Sequence, residues 1–240
     1  MNVGSLFSGI GGFDLGFERA GMRTSWFCEQ DDYCRRVLNR HWPKVPVYPD
    51  ITKLAGDAVE SIDVLCGGFP CQDFSVLGRR AGLDGKQSGL WSEYARLIRE
   101  LRPRYVVVEN VPDVLVGGLG TVLADLAACG YDAEWDCIPA AAIGALHLRA
   151  RFWLVAYPDS GRHRAPEETI FAGRECPQLR GRWADEPGVG RVAYGIPDGV
   201  ERRHALGNAL VPQIAEWIGR RIVTYEETTG AERAPRKDAA

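Results

Sequence analysis

The chain is predicted to fold as an α/β domain around a mostly parallel sheet. Two observations predict it: short apolar runs alternate with helix-length segments, and a glycine-rich turn directly follows the first run. Apolar runs without polar alternation suit strands buried on both faces, as in a parallel sheet covered by helices.

The first strand is expected over Val3 to Phe7, followed by the turn Ser8-Gly9-Ile10-Gly11-Gly12 and the segment Asp14 to Ala20. Further buried strands are expected over Thr24 to Cys28, Ile62 to Cys66 and Tyr105 to Glu109, the last preceded by an amphipathic stretch from Leu90 to Leu101. Thr121 to Cys129 reads as a helix that ends at Gly130. Tyr131 to Ile138 and Phe152 to Tyr157 read as two more strands that can pair antiparallel at a sheet edge.

From Pro158 to Gly190 periodicity disappears and Pro, Gly, Arg and Glu dominate, which marks a loop-rich insertion. Regular pattern resumes at Val211 to Val223, where Ile214, Trp217, Ile218 and Ile222 share one helical face. The polar stretch Glu226 to Ala240 is expected to be a flexible tail.

A length of 240 residues suits one catalytic core with a small appendage. No apolar run approaches the roughly 20 residues that span a bilayer, and the start lacks a secretory pattern, so a cytoplasmic protein without membrane contact is expected. Seven cysteines at irregular spacings form neither a disulfide framework nor a metal-ligand pattern. Most are expected in the core and one in chemistry, with no metal. The net charge of −3 argues against indiscriminate coating of nucleic acid. Between Arg149 and His204, however, ten arginines face eight acids and lysine is absent, a small excess that fits either a local DNA-binding face or an ordinary solvated surface.

Three constellations carry chemistry. The glycine turn lets the backbone approach a ligand at the C-terminal edge of the sheet, and Glu29 and Asp50 stand where acids can accept from ribose hydroxyls. Alone, such a turn serves several nucleotide cofactors or is only a tight turn, and such acids also occur as solvated loop residues. The second is Gly67-Gly68-Phe69-Pro70-Cys71-Gln72-Asp73-Phe74-Ser75 at a strand end. A free thiol titrates near about 8.5 and reacts readily only beside positive charge or a helix N-terminus, for which Arg79, Arg80, Arg149 and Arg151 are candidates. The third is Val106-Val107-Val108-Glu109-Asn110-Val111, which delivers a carboxyl to the same edge. Buried there, it can hold a proton near neutral pH and donate to a ring nitrogen; a salt-bridged structural glutamate is the alternative.

Taken together and in order, these pieces resemble the cytosine-5 DNA methyltransferase family. Phe7 to Phe13 is similar to its cofactor loop, Pro70 to Ser75 to its nucleophile motif, and Glu109-Asn110-Val111 to its Glu-Asn-Val motif. His147-Leu148-Arg149-Ala150-Arg151 is similar to its paired-arginine motif, and Gly207-Asn208-Ala209 to its terminal motif. The resemblance implies a Rossmann-like S-adenosylmethionine-dependent methyltransferase fold with a small irregular target-recognition insert. It implies that Phe7, Ser8, Gly9, Ile10 and Gly11 line the cofactor, that Glu29 holds its ribose, and that Asp50 and Ile51 meet its adenine. Pro70, Leu90, Asn208 and Ala209 would complete that pocket.

It further implies Cys71 as nucleophile, Glu109 on the cytosine ring, Arg149 supporting base and catalytic loop, and Arg151 bracing acids or phosphate. DNA contacts are expected from Gln72, Ser75, Arg79, Arg80, Arg162, Arg164, Arg180 and Arg182. One branch of the family methylates transfer RNA and carries a different residue beside the nucleophile; Gln72 fits the DNA branch.

Two positions depart from the family pattern: Ser5 stands where an acid is common, and His147 replaces a glutamine. The recognition region is short. Residues 1–156 and 205–225 are assigned to the catalytic domain, 157–204 to a reduced recognition region and 226–240 to the tail. The stretch Val189 to Pro197 resembles phage-type members. The partners implied are double-stranded DNA and a cognate restriction endonuclease, with a monomeric enzyme in restriction-modification or phage self-protection.

Overall fold

The structure is a computed structural model that describes residues 1–70, 89–159, 169–171, 205 and 208–233. The described strands are β1 (Asn2–Leu6), β2 (Arg23–Cys28), β3 (Val47–Tyr48), β4 (Val64–Gly67), β5 (Tyr105–Asn110), β6 (Tyr131–Pro139) and β7 (Ala150–Pro158). They form one sheet in the order β3-β2-β1-β4-β5-β7-β6. Pairing is parallel from β3 to β5, and β7 runs antiparallel between β5 and β6. The antiparallel edge expected from the last two apolar runs is therefore a β6–β7 hairpin.

The helices are α1 (Gly12–Arg19), α2 (Asp32–His41), α3 (Leu90–Leu101), α4 (Val114–Gly117), α5 (Leu119–Ala128) and α6 (Pro212–Arg233). Each buried strand sends alternate residues to opposite faces. Val3, Cys66, Val107, Trp153 and Val155 pack with Phe13 and Phe17 of α1 and Ile214, Ile218 and Ile222 of α6. Leu6, Leu65, Val106 and Val108 pack on the other face with Trp91, Tyr94, Leu97 and Ile98 of α3 and Leu126 of α5. The result is a three-layer α/β/α sandwich.

Contact between α1 and α6 is backbone-close. A Cβ on Gly16 would fall 2.4 Å from the Pro212 carbonyl oxygen, and one on Gly219 would fall 2.9 Å from Ala20 and Phe17. Helix α6 also runs past the periodic segment to Arg233, so residues 226–233 are helical rather than part of a tail. Glu226 accepts a hydrogen bond from Tyr105 Oη at 2.8 Å and pairs with Arg104, which fastens this extension to the start of β5.

Of the expected insertion, residues 158–159 and 169–171 are described. The Glu134 carboxylate on β6 accepts from the backbone N–H groups of Ile170 at 2.9 Å and Phe171 at 3.2 Å. Ile170 is buried and Phe171 stacks against Trp217 of α6. The chain is thus packed on the sheet-and-helix core again at positions 169–171, eleven residues after the end of β7.

Candidate active site

The sheet gathers the site at the C-terminal ends of β1, β2, β4 and β5. After β1 the backbone turns through left-handed conformations at Phe7, Gly9 and Gly11, with φ of 50°, 54° and 82°. Ser8 holds the turn: its Oγ donates to the Ser5 carbonyl at 2.9 Å, and its own carbonyl accepts from Gly11 N–H at 2.9 Å. A Cβ on Gly9 would meet nothing within 4 Å, so space lies open over the turn.

Glu29 follows β2 directly and is buried. Its Oε2 accepts from Gly9 N–H at 2.7 Å and its Oε1 from Asp31 N–H at 2.8 Å. A carboxylate has about four acceptor positions, so two remain for hydroxyls. Asp50 accepts from Thr52 N–H at 3.0 Å and Thr52 Oγ at 2.7 Å, while Lys53 Nζ lies 3.2 Å away. The Thr52 bonds, then Lys53, hold its carboxyl below the ordinary range. Ile51 beside it is buried. Pro70 is half-buried just beyond β4, Leu90 opens α3, and Asn208 is an exposed helical residue shortly before α6.

Glu109 is buried near the end of β5, in register with Trp153 of β7. Arg151, two residues earlier on β7, shares that face and sets its Nε 3.1 Å from Glu109 Oε1. A Cβ on Gly68 would lie 2.9 Å from Glu109 Oε2, so only glycine leaves the carboxyl its place. Burial pushes the Glu109 carboxyl up to about 7, against the opposing charges of Arg151 and Arg149. Asn110 donates to the Phe69 carbonyl at 3.1 Å and accepts from Val111 N–H at 2.8 Å, which ties the segment carrying Pro70 to β5.

Arg149 adopts a positive φ of 24° and donates to the Ala209 carbonyl at 2.5 Å. Burial is the main cause that holds its guanidinium below its ordinary pKa. The two expected arginines therefore have different neighbours: Arg151 faces the acid and Arg149 reaches the turn before α6. Cys71, Gln72, Ser75, Arg79, Arg80, Arg162, Arg164, Arg180 and Arg182 lie outside the described residues. Cys28, Cys34, Cys66 and Cys129 are buried free thiols, as most of the cysteines were expected to be. Among the described residues no helix is long and apolar enough to cross a membrane, and no three His, Cys, Asp or Glu side chains gather as a metal site.

The site also contains Asp14, which sequence reasoning passed over. It lies wholly buried in the first turn of α1, where Ser5 and Thr24 hydroxyls each donate to it at 3.0 Å. Its signal in the sequence is slight: a polar residue flanked by Phe13 and Phe17 of the core face.

The sheet order, the antiparallel β7, the glycine turn after β1 and the acid after β2 match the Rossmann-like fold of S-adenosylmethionine-dependent methyltransferases. Solved structures agree on the fold: a putative DNA modification methyltransferase encoded within an E. coli prophage matches with a TM-score of 0.60 and 25% identity over 72% of this chain and 51% of that one. The Dnmt2 methyltransferase of S. pombe matches with a TM-score of 0.60 and 20% identity over 76% of this chain and 58% of that one. The family model for C-5 cytosine-specific DNA methylases matches residues 1–178.

The chain belongs to that family. It is 35% identical over 183 residues to the type II methyltransferase M2.BsuMI of Bacillus subtilis, covering 72% of this chain and 45% of that protein. It is 32% identical over 196 residues to the type II methyltransferase M.AquIA of Picosynechococcus, covering 73% and 79%. The chain spans about half the length of several relatives, the Bacillus protein among them. Family membership implies S-adenosylmethionine as the methyl donor. The open space over Gly9, the spare acceptor positions of Glu29, and Asp50 beside the buried Ile51 fit that group.

Proposed function

We propose that this chain is a DNA (cytosine-5) methyltransferase that acts on a flipped-out cytosine through a covalent adduct with Cys71. The observation that carries the reading is the burial of Glu109 beside Arg151 at the edge where Pro70 leads into Cys71, a burial that pushes its carboxyl up to about 7. Cytosine in a duplex hides its ring, so the base must leave the stack to reach such a site.

S-adenosylmethionine, when bound, supplies an electrophilic methyl group. Carbon 5 of cytosine is a poor nucleophile, and the Cys71 thiolate activates it by adding to carbon 6. The electron pair of the 5,6 double bond then moves toward carbon 5 and nitrogen 3. Glu109 stabilises that charge by donating its proton or a hydrogen bond at nitrogen 3, and Arg149 supports the base and catalytic loop. After methylation a base removes the carbon 5 proton, the double bond reforms and the Cys71 thiolate leaves. Phe7 to Gly11, Glu29, Asp50, Ile51, Pro70, Leu90, Asn208 and Ala209 would hold the cofactor. Arg162, Arg164, Arg180 and Arg182, with Gln72, Ser75, Arg79 and Arg80, would contact duplex DNA.

The test is incubation with tritiated S-adenosylmethionine and, in separate reactions, mixed-sequence duplex DNA and transfer RNA, wild type against Cys71→Ser, followed by nucleoside analysis. The expected result is label in 5-methylcytosine that vanishes in the variant. Nucleoside analysis matters because a DNA N-6-adenine-methyltransferase of Escherichia phage P1 is 39% identical over 149 residues, 55% of this chain and 20% of that protein. Label in N6-methyladenine, or only in RNA, would overturn the reading. A restriction-modification or phage self-protection role, with a cognate endonuclease as partner, predicts that deleting the gene changes the restriction sensitivity of host or phage DNA.

A further inference from the structure

Asp14 is a fully buried carboxyl that the proposed chemistry does not use. Its Oδ2 accepts from Ser5 Oγ on β1 and its Oδ1 from Thr24 Oγ1 on β2, each at 3.0 Å. The Ser5 carbonyl in turn accepts from Ser8 Oγ at 2.9 Å, so two hydrogen bonds connect this carboxyl to the cofactor turn. Asp14 also stands in the first turn of α1, the helix that Gly11 caps.

Among the described residues the titratable groups nearest it are acids and a thiol, and the arginines in this region, Arg19 and Arg220, lie on Glu216. Glu18 lies one turn on along α1, and Cys66 faces it from β4. From α6, packed on Gly16, comes Glu216, itself bound by Arg220 at 2.9 Å. No Lys or Arg among the described residues forms an ion pair with Asp14. The helix N-terminus supplies only a partial positive charge.

We infer that Asp14 is a positioning residue for the cofactor: as a carboxylate it holds β1, β2 and the first turn of α1 in the shape that receives S-adenosylmethionine, and it balances that ligand's sulfonium charge. The inference rests on the cofactor implied by family membership. Its geometric basis is the pair of hydroxyl donors. A carboxylate accepts from both, whereas a protonated carboxyl must donate through one oxygen and turn a hydroxyl round in a closed interior. Burial, the largest influence, holds this carboxyl near about 7, with Glu18 adding and the Thr24 and Ser5 hydroxyls opposing. A cationic ligand over the turn favours ionisation, so binding releases a proton and strengthens as pH rises.

The experiment is calorimetric binding of S-adenosylmethionine and of S-adenosylhomocysteine, which lacks the sulfonium charge, at pH 6, 7 and 8. Wild type, Asp14→Asn and Ser5→Ala are compared, with circular dichroism as the folding control. Wild-type affinity for S-adenosylmethionine is expected to rise roughly fivefold from pH 6 to 8, with proton release near pH 7 measured in buffers of different ionisation enthalpy. Asp14→Asn is expected to flatten that rise and to weaken the charged ligand more than the neutral one.

Ser5→Ala removes one donor to the carboxylate and is expected to move the midpoint of the rise to higher pH. It keeps the test open should Asp14→Asn not fold. Equal pH dependence in wild type and Asp14→Asn, or equal losses for the two ligands, would overturn the inference, as would an unmoved midpoint in Ser5→Ala. A wild type that binds neither ligand would instead overturn the cofactor reading, and the inference with it.

Discussion

Arg151 Nε lies 3.1 Å from Glu109 Oε1, across the antiparallel pairing of β5 and β7. The two are placed together by strand register, and the charge of one opposes the effect of burial on the other. Removing the guanidinium should therefore raise the Glu109 carboxyl further, by about one pH unit or more. If protonated Glu109 is the active form, methyl transfer falls as pH rises through about 7. In Arg151→Leu that alkaline fall should move to higher pH, which a single-turnover pH profile measures.

Glu109→Gln keeps a neutral hydrogen-bonding group of the same shape and loses the transferable proton. Single-turnover methylation should fall by about 10²-fold or more, while the alkaline limb due to this carboxyl disappears. Cofactor binding, measured by calorimetry, should be little changed.

The same carboxyl bears on stability with a definite sign. Its folded value of about 7 exceeds the ordinary 4.5, so the unfolded chain releases its proton first as pH rises. Its contribution is thus least unfavourable below about pH 4.5, becomes steadily more destabilising toward pH 7, and is constant above. Glu109→Gln removes that cost, so the difference in denaturant midpoint between variant and wild type should grow in the variant's favour between pH 5 and pH 8.

Gly16 touches the start of α6 with no room for a side chain. Gly16→Val should destabilise the fold by about 1–3 kcal/mol through overpacking. Because α6 follows Ala209 and Leu210, and Leu210 packs on Gly12 at the cofactor turn, cofactor affinity should fall as well. Thermal unfolding with and without S-adenosylmethionine reads both effects.

Glu134 holds two consecutive backbone N–H groups of the returning segment. Glu134→Ala leaves both without that acceptor and should cost about 1–3 kcal/mol. Calorimetry should show unchanged cofactor binding, while limited proteolysis should cut faster near Thr169 to Phe171.

Much of this architecture was legible in the sequence because β4 and β5 are nearly unbroken apolar runs, and β1 and β2, though they include Ser5, Thr24 and Ser25, carry Val3, Leu6, Trp26 and Phe27 into the core. Helix α2 was not, since Arg35, Arg36, Asn39, Arg40 and His41 hide its short buried seam of Cys34 and Leu38. The end of α6 was missed for a related reason: Glu226 looks like tail until Tyr105 and Arg104 meet it from far along the chain. In the site, the glycine turn and Glu109 were visible as motifs. The meeting of Arg151 with Glu109 depends on a register that no local pattern encodes, and Asp14 reads as an ordinary helix acid until tertiary packing removes its water.

The link from Arg149 to the Ala209 carbonyl joins positions 60 residues apart, on either side of the segment between β7 and α6. The described positions that flank the intervening chain are thereby tied to each other, with Ile170 and Phe171 as a second attachment to the core. Closing a loop costs only about 0.6 kcal/mol more for each doubling of its length, so the core scarcely registers how long the segment is. A change in the number of residues between positions 171 and 205 is therefore expected to leave both attachments in place.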